Sequence, residues 1–251
     1  MNMRVVLIAA TALLSASLSA QSAADHIVLG DKDHAAMNAA GALRHYQEAI
    51  RIDANNAEAL WRASREAIDL GEFSDAARDS LYQLGALFAR RAVQADPKSS
   101  MAHFALAKAL GRRALSLGKR DRVKYAGEVR TEALEALRLD SLNAGALHVL
   151  GMWNAEIMRL SGIERFFAKN VLGGKTFGQA NWNDASRLLE RAVVIEPDRI
   201  VHRKDLGAVY DDKGQKDKAR ETYQAALRLK AIEPNDAEYK REVEKRLAEL
   251  R

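Results

Sequence analysis

The chain has 251 residues, 48% of them hydrophobic and 29% charged, and its formal net charge at pH 7 is +5. Its 39 basic and 34 acidic side chains are interspersed, which disfavours nucleic-acid binding, because proteins that bind nucleic acid concentrate positive charge in a patch or arm. The sequence contains no cysteine, which excludes disulfides, a lipid anchor on cysteine and thiol chemistry. With three prolines and many strong helix formers, the composition predicts an all-α fold.

Residues 1–22 have the pattern of a secretory signal peptide. A short positively charged lead precedes an apolar run at residues 5–14, and small and polar residues follow it. Small residues place the predicted cleavage between Ser19 and Ala24, which leaves a domain of residues 25–251. The apolar run falls short of the ~20 residues that a membrane-spanning helix needs. We therefore expect export and a periplasmic location after cleavage, with an N-terminal membrane anchor as the alternative.

The remaining residues predict a succession of helices. Clusters of Asp, Asn, Pro and Ser at residues 53–56, 96–99 and 196–198 have the composition of turns that end one helix and cap the next. The last helix is highly charged, as expected of a capping helix that ends a stack of repeats with a polar face. The predicted helices span residues 33–52, 57–70, 74–95, 99–117, 121–139, 144–160, 162–172, 184–195, 199–213, 216–230 and 235–250.

One short pattern recurs five times at the ends of predicted helices: alanine, an apolar residue, any residue, an apolar residue and a polar residue where a turn begins. Its copies end at Asp53, Asp96, Asp140, Glu196 and Lys230, so successive copies are 43, 44, 56 and 34 residues apart. A helix end that recurs every ~20–50 residues indicates a stacked helical repeat protein. Such proteins usually bind other molecules rather than transform them, so the pattern bears on function as well as fold.

The last repeat, at residues 206–226, resembles the tetratricopeptide repeat, a pair of helices with a usual period of 34 residues. Small Gly207 and Ala219 would let the two helices approach closely, and Gly214 would end the first helix in a left-handed conformation. We therefore predict a tetratricopeptide-like right-handed α-solenoid of four to five helical hairpins, with an inserted helix and a C-terminal capping helix. The residues that carry the pattern are Leu206, Gly207, Tyr210, Gly214, Ala219, Tyr223 and Ala226.

The 56-residue step indicates an insertion at residues 161–182. Around it, LHVLGMW at residues 147–153 and LSGIERFFA at residues 160–168 resemble the regulator of microtubule dynamics family. In that family a His-x-Leu-Gly-x-Trp helix precedes a Leu-Ser-x-Ile-Glu stretch and a short inserted helix. The resemblance implies a tetratricopeptide-like solenoid with a non-enzymatic role. Eukaryotic members associate with microtubules, spindle poles or mitochondrial membranes, but an exported bacterial protein would meet no microtubules, so the resemblance implies the fold rather than the partner.

The sequence offers no motif for catalysis, a cofactor or a metal ion. Residues 173–176, Gly-Gly-Lys-Thr, lack the earlier glycine and the preceding strand of a phosphate-binding loop, because Lys169 occupies the glycine position. No two histidines lie four apart on one predicted helix, so a zinc pair is unsupported. We expect a protein that is not an enzyme and has no cofactor. The histidines are His26, His34, His45, His103, His148 and His202.

In stacked helical hairpins the first helix of each pair lines the concave groove, so helical phase predicts the residues of a binding surface. Trp61, Met101 and Phe104 would form an apolar floor with cations at its rim, whereas Asp211 and Asp212 would make one end acidic. The residues predicted to bind a partner or ligand are Trp61, Arg65, Met101, Phe104, Lys108, Arg112, His148, Met152 and Lys204, and the same phase includes Glu58, Ile68, Glu156, Ala208, Asp211 and Asp212.

Two functions fit this surface, and a third interpretation gives it none. The leading hypothesis is a protein–protein interaction scaffold that binds an extended peptide or a helix of a protein partner in the groove. The alternative is a binder or carrier of an amphipathic ligand such as a phospholipid, whose anionic head would contact the cations Arg65, Lys108 or Arg112. In that case the inserted segment at residues 161–182 would form a lid. In the third interpretation, the apolar floor residues fill a closed superhelix and bind nothing.

Overall fold

Helices account for nearly all regular structure in this protein. The computed structural model describes residues 21–117, 119–162 and 174–250, and within these ranges it contains eleven α-helices, one short 3₁₀-helix at Gly174–Gln179 and no strand. The α-helices are α1 (Ala23–Ala35), α2 (Ala39–Ile52), α3 (Ala57–Glu72), α4 (Arg78–Ala95), α5 (Ser100–Ser116), α6 (Lys119–Leu139), α7 (Ala144–Arg159), α8 (Trp182–Ile195), α9 (Ile200–Asp212), α10 (Lys216–Arg228) and α11 (Asp236–Glu249).

Polar side chains fix where the first helices of three successive hairpins begin. Asn56 caps α3, Ser99 caps α5 and Asn143 caps α7, each by accepting a hydrogen bond of 2.8–3.2 Å from the backbone N–H three residues later. Each such cap contributes about 1 kcal/mol. The caps are 43 and 44 residues apart, so residues at equal distances from their caps occupy equivalent positions in successive hairpins.

The helices pair as hairpins that stack in chain order: α1 with α2, α3 with α4, α5 with α6, α7 with α8 and α9 with α10, followed by α11. The first helices α3, α5, α7 and α9 also contact one another along the stack and form its inner side. Gly207 permits close approach within the last hairpin, because a Cβ there would lie 2.4 Å from Tyr223 Cε1. Gly214, with a φ of 71°, ends that helix in the left-handed conformation. The predicted tetratricopeptide-like α-solenoid is confirmed.

The single helix predicted at residues 33–52 is wrong, because the chain forms two helices there. Met37, with a φ of 61°, interrupts the helical path, and Asn38 begins α2 by accepting a backbone hydrogen bond at 3.0 Å. The preceding helix starts early, since Ser22 and Asp25 form a capping box around its first turn. The small residues that indicate a cleavage site obscured this helix start in the sequence.

Two predicted segments lie wholly or largely outside the described residues. They are the signal peptide at residues 1–22 and the inserted helix at residues 162–172. The 3₁₀-helix lies in the second half of the predicted insertion and leads into α8. Among the residues that the structure does describe, no helix is both long enough and apolar enough to cross a membrane.

Apolar side chains from neighbouring hairpins form a series of buried clusters along the stack. Tyr46, Leu60, Leu110, Leu147 and Val243 lie on α2, α3, α5, α7 and α11 respectively, and each is less than 2% exposed. Burying a large apolar side chain contributes roughly 1.5–3 kcal/mol. The core therefore extends from the first hairpin to the capping helix rather than lying at one centre.

The C-terminal end of the chain folds back across the inner side of the stack and contacts the second hairpin. Asn235 Nδ2 donates a hydrogen bond to the Asp69 carbonyl oxygen at 2.9 Å, and the Tyr239 hydroxyl donates to Glu72 Oε2 at 2.6 Å. The Tyr239 ring also packs edge-on against Phe73, with 5.8 Å between the ring centroids. These contacts join the C-terminal segment to α3 across the inner side of the solenoid, where they border a cavity.

Candidate functional site

A cavity of about 380 Å³ lies on the inner side of the solenoid, between α5, α7, α9 and the segment that leads into α11. Its volume falls near the lower end of the range of small-molecule pockets, ~300–1,000 Å³. The wall can offer apolar contact, ion pairing and hydrogen bonds to a bound molecule. Its apolar lining includes Phe104, Leu115, Val149, Met152, Trp153 and Phe177, and its charged lining includes Asp69, Lys108, Arg112, Lys204 and Asp205.

The structure brings together most, but not all, of the residues predicted for the binding surface. The first helices of the third, fourth and fifth hairpins contribute those that line the cavity, whereas the others lie outside it. Lining a cavity is not in itself binding, so the site stays a prediction. The residues that line the cavity are Phe104, Lys108, Arg112, His148, Met152 and Lys204, and those that do not are Trp61, Arg65 and Met101.

Trp61 and Arg65 are held by neighbours in the first two hairpins. The guanidinium carbons of Arg62 and Arg65 lie 4.4 and 5.5 Å from the centroid of the Trp61 ring. Arg65 Nε donates to Glu66 Oε1 at 2.7 Å, and Arg65 Nη2 donates to the Tyr46 hydroxyl at 3.3 Å. Contacts within the protein therefore occupy this part of the inner side.

Met101 and Ile68 also lie away from the cavity. Met101 is 37% exposed, and its Sδ accepts a weak hydrogen bond from Asn143 Nδ2 at 3.7 Å. Ile68 is 1% exposed and belongs to the core, so its assignment to the groove surface is wrong. The side chain packs on α4 instead, where a Cβ at Gly85 would lie 2.7 Å from Ile68 Cδ1. Helical phase alone did not separate this core position from the groove face.

Carboxylates on α3 pair with two cations that line the cavity on α5. Lys108 Nζ donates to Asp69 Oδ1 at 2.7 Å, and Arg112 Nη1 lies 2.8 Å from Glu72 Oε1. Two cations of the predicted rim are therefore ion-paired within the protein, and the carboxylates that pair with them were not among the predicted residues. In each pair the cation is the more exposed partner, at 22% against 9% and at 24% against 9%. A molecule in the cavity would therefore meet the cations first.

In each ion pair, one member has a pKa shifted in the direction that favours its charged form. Burial by itself would raise the pKa of Asp69, but the ammonium of Lys108 outweighs burial and lowers that pKa. Burial by itself would lower the pKa of Arg112, but the carboxylate of Glu72 and further negative neighbours outweigh burial and raise that pKa. Asp69 and Arg112 thus stay charged across the neutral pH range.

A chain of four polar side chains runs between α7 and α9 at the cavity wall. His148 Nε2 lies 3.0 Å from Asp205 Oδ2, and His148 Nδ1 lies 2.7 Å from His202 Nδ1. His202 Nε2 in turn lies 3.1 Å from Glu196 Oε2. Burial lowers the pKa of His148 to about 4, so this imidazole is neutral near pH 7. Its Nε2–H then donates to Asp205, and its Nδ1 accepts from His202.

Part of the predicted insertion contributes to the cavity wall. Phe177, in the 3₁₀-helix, is 8% exposed and stacks on Trp153 with 6.2 Å between the ring centroids. Trp153 Nε1 donates a hydrogen bond to the Ala126 carbonyl oxygen at 2.7 Å, which fixes the indole. Trp182 packs against the apolar core of the last repeats. The remaining apolar residues predicted for a lid lie outside the described residues, so the lid stays a prediction.

Sequence reasoning missed several residues of the cavity wall. Asp69 and Asp205 lie outside the single helical phase that was followed, although both belong to first helices. Tyr239 comes from the capping helix, which reaches the cavity only because the chain folds back. Gly111 also lines the cavity, and a glycine inside a helical pattern was the available signal for it. The two paired histidines are 54 residues apart, so a search within one helix missed them.

Within residues 21–117, 119–162 and 174–250, no group of three or more His, Asp or Glu side chains is arranged to hold a metal ion. The paired histidines use their ring nitrogens in hydrogen bonds with each other and with the carboxylates of Asp205 and Glu196. The charged lining of the cavity includes carboxylates, among them Glu156 and Glu233, as well as cations.

Comparison with known proteins finds similar solved structures. The chain is similar to TTC0263, a thermophilic TPR protein in Thermus thermophilus, with 19% identity, a TM-score of 0.63 and coverage of 91% of this chain and 98% of that one. It is also similar to MamA from Desulfovibrio magneticus RS-1 (16% identity, TM-score 0.46, 82% and 94% covered) and to YrrB, a TPR protein with an unusual peptide-binding site (16%, 0.45, 89% and 92%). The comparison with curated proteins gave no match.

The likeness to TTC0263 shows a tetratricopeptide-like fold. The sequence model of the family described as regulator of microtubule dynamics protein 1-3 matches residues 21–251. This match includes the cavity, the inserted segment and the capping helix, and it confirms the resemblance seen at residues 147–168. The chain therefore belongs to the regulator of microtubule dynamics protein 1-3 family.

Proposed function

We propose that this protein is a non-enzymatic binding module that receives a short segment of a protein partner in its central cavity. The observation that carries the proposal is the cavity itself, which α5, α7 and α9 line with both apolar and charged side chains. Helical repeat proteins usually bind along the concave surface that their stacked repeats create. In this protein the first helices surround the cavity, so we place the partner there.

Because the C-terminal segment crosses the inner side, we propose a pocket as the binding site rather than a groove along the whole stack. An extended peptide that ran along the whole inner side would have to displace Asn235 and Tyr239 from α3. A cavity of about 380 Å³ admits a chain terminus or a few side chains without that displacement. We therefore expect the partner to insert a short segment rather than to lie along the stack.

Apolar contact supplies most of the expected binding free energy. Phe104, Met152 and Trp153 present apolar surface to the cavity, and each Å² of apolar surface removed from water contributes about 25 cal/mol. The charged wall near Lys108 and Arg112 orients the segment, because cations there are more exposed than the carboxylates that pair with them. Apolar side chains with a polar neighbour are thus the expected recognition element.

A peptide selection tests the proposal. Binders are selected from a random peptide library on the purified protein, and their affinities are measured by isothermal titration calorimetry. We expect Phe104→Ala and Met152→Ala to weaken binding roughly fivefold or more, because truncation of a central apolar contact costs over about 1 kcal/mol. Val194→Ala is the matched control, since Val194 is 79% exposed and lies outside the cavity lining.

Two outcomes would contradict a protein partner in the cavity. The first is a set of selected peptides that bind Phe104→Ala as tightly as they bind the unchanged protein. The second concerns the amphipathic-ligand alternative, which native mass spectrometry and lipid extraction test on the same preparation. Copurifying lipid that is lost in Phe104→Ala, together with a failed peptide selection, would replace the protein partner by a lipid.

We also propose that the protein acts after export and that the mature chain begins at Ala20. Small residues at Ser17 and Ser19 permit cleavage after Ser19. Ser22 would then remain to cap α1, where its Oγ accepts a backbone hydrogen bond at 3.2 Å, whereas cleavage after Ser22 would remove this cap. N-terminal sequencing of the exported protein should read Ala20 first, and an intact Met1 would refute cleavage.

A further inference from the structure

Two equivalent positions in neighbouring hairpins carry residues of opposite size. Ile68 in α3 and Gly111 in α5 each lie 12 residues after the cap of their helix. On the second helices, Gly85 and Val129 each lie 11 residues before the aspartate that ends the helix. The second hairpin thus combines isoleucine with glycine, and the third combines glycine with valine.

In the second hairpin the Ile68 side chain fills the space between the two helices. The equivalent space in the third hairpin is empty. A Cβ at Gly85 would lie 2.7 Å from Ile68 Cδ1, so the second hairpin is full at this point. A Cβ at Gly111 would meet no heavy atom of another described element within 4 Å. Gly111 and Val129 both line the cavity. The cavity therefore reaches the surface of α5 at the position of a missing side chain.

Among the described residues, no packing contact explains a glycine at this position. Glycine inside a helix is unfavourable relative to alanine, because it loses more backbone freedom on folding. At Gly71, Gly145 and Gly207 a neighbouring aromatic ring occupies the place of a Cβ, so packing accounts for those glycines. No such neighbour accounts for Gly111, and space for a bound group is a reason that its place in the cavity wall supports.

The charged side chains nearest to Gly111 on the same helix are cations that reach the cavity. Lys108 and Arg112 both line it, with their paired carboxylates less exposed than the cations. A guanidinium has five N–H donors, and within the described part of the chain Arg112 forms an ion pair with Glu72. Donors therefore remain for an anionic group placed beside Gly111.

We propose that Gly111 determines the specificity of the cavity, because an apolar group of the bound segment occupies the space left by its missing side chain. An adjacent acidic group of the same segment binds Lys108 and Arg112. This inference rests on the proposed function and adds the chemistry of the occupant, an apolar side chain next to a negative charge. A larger residue at position 111 excludes that occupant but leaves the free protein folded.

Fluorescence titration with two small probes tests this inference without knowledge of the partner. The probes are 8-anilinonaphthalene-1-sulfonate, which is apolar and carries one negative charge, and N-phenyl-1-naphthylamine, which lacks the sulfonate. We expect the unchanged protein to bind the sulfonate probe more tightly than the neutral one. Gly111→Ala should weaken binding of the sulfonate probe roughly tenfold, because an extra methyl group in a filled site causes a clash. Gly111→Val should weaken its binding further.

Gly127→Ala is the matched control. Gly127 is also a helical glycine without a neighbour within 4 Å of its Cβ position, but it is exposed on α6 and does not line the cavity. Both alanine variants should raise Tm, by about 2–4 °C, since each replaces a helical glycine. Only Gly111→Ala should lose probe affinity. A cooperative thermal melt by circular dichroism confirms that each variant is folded before it is titrated.

Three results would overturn the inference. They are a sulfonate probe that does not bind the unchanged protein, equal binding by Gly111→Ala and Gly127→Ala, and a neutral probe that binds as tightly as the charged one. The proposed function fails in a different way. If the peptide selection yields no binder while the probes show the expected dependence on residue 111, the cavity takes an apolar anion but not a protein segment.

Discussion

The second and third hairpins begin from equivalent caps and yet present different inner faces. In the second hairpin, Arg65 bonds to Glu66 and Tyr46, and Ile68 fills the space between α3 and α4. In the third hairpin, the equivalent residues line a cavity. The equivalent pairs, counted from the two caps, are Trp61 and Phe104, Arg65 and Lys108, Ile68 and Gly111, and Asp69 and Arg112.

This comparison shows that an aromatic residue and a cation on the inner face do not by themselves give a repeat room for a ligand. Both hairpins carry an aromatic residue and a cation at equivalent positions, one turn apart. The difference lies at the position of Ile68 and Gly111, where one hairpin has a large apolar side chain and the other has none. A single small residue at a core-facing position therefore opens the third hairpin to the cavity.

Removal of the isoleucine is the strongest test of the comparison. Ile68→Ala should lower the free energy of unfolding by about 2–5 kcal/mol, because the side chain is 1% exposed and its loss leaves a cavity. Urea denaturation measures the change, and Val194→Ala, at a position 79% exposed, should change it by less than about 0.5 kcal/mol. A loss below about 1 kcal/mol would mean that the second hairpin is not filled as described.

The fourth hairpin extends the comparison, because His148 is its equivalent of Phe104. Burial lowers the pKa of His148 to about 4, below its ordinary value of 6.5. Between these two pH values the unfolded chain binds a proton that the folded protein does not, so the stability that is complete above pH 6.5 falls as pH decreases toward 4. His148→Gln should make the free energy of unfolding depend less steeply on pH over this range, as measured by denaturation at several pH values.

A matched change elsewhere controls for the other titrating groups. His45→Gln alters a histidine of the first hairpin, away from the cavity lining. The groups that face His148 are Asp205, His202 and Arg112, and they remain in both variants. Identical pH profiles for the unchanged protein and His148→Gln would show that this histidine is not neutral when folded.

The smallest expected effect concerns the fold-back that closes the cavity. Tyr239→Phe removes the hydroxyl that donates to Glu72 at 2.6 Å. The free energy of unfolding should fall by about 1–2 kcal/mol, because a hydrogen bond to a charged group is lost while Arg112 still pairs with that carboxylate. Denaturation of Tyr239→Phe beside Tyr125→Phe, a partly buried tyrosine of α6, measures the difference. Equal losses would indicate that closure adds no stability.

Local sequence was sufficient for the fold. Asp53, Asp96 and Glu196, which end copies of the repeated pattern, are the C-terminal caps of α2, α4 and α8. Gly214 takes the predicted left-handed conformation. Each of these features depends on a few neighbouring residues, so a sequence pattern can reveal it. The family resemblance likewise rests on a contiguous stretch, at residues 147–168.

The cavity depends on contacts that local patterns do not contain. The pairing of Lys108 with Asp69 joins two hairpins, and the pairing of His148 with His202 joins residues 54 apart. Helical phase identified Arg112 as a residue of the inner side but could not show that Glu72 pairs with it. The space at Gly111 is a property of three packed helices, and no rule of spacing within one helix predicts it.

The fold-back of the C-terminal segment also determines the order in which this protein can fold. The hydrogen bonds from Asn235 to Asp69 and from Tyr239 to Glu72 span 166 and 167 residues, whereas contacts within each hairpin are local. Local contacts form early, and contacts between distant parts of a chain form late. During synthesis the stacked hairpins therefore assemble first, and the cavity acquires its last wall only when the final helix has been made.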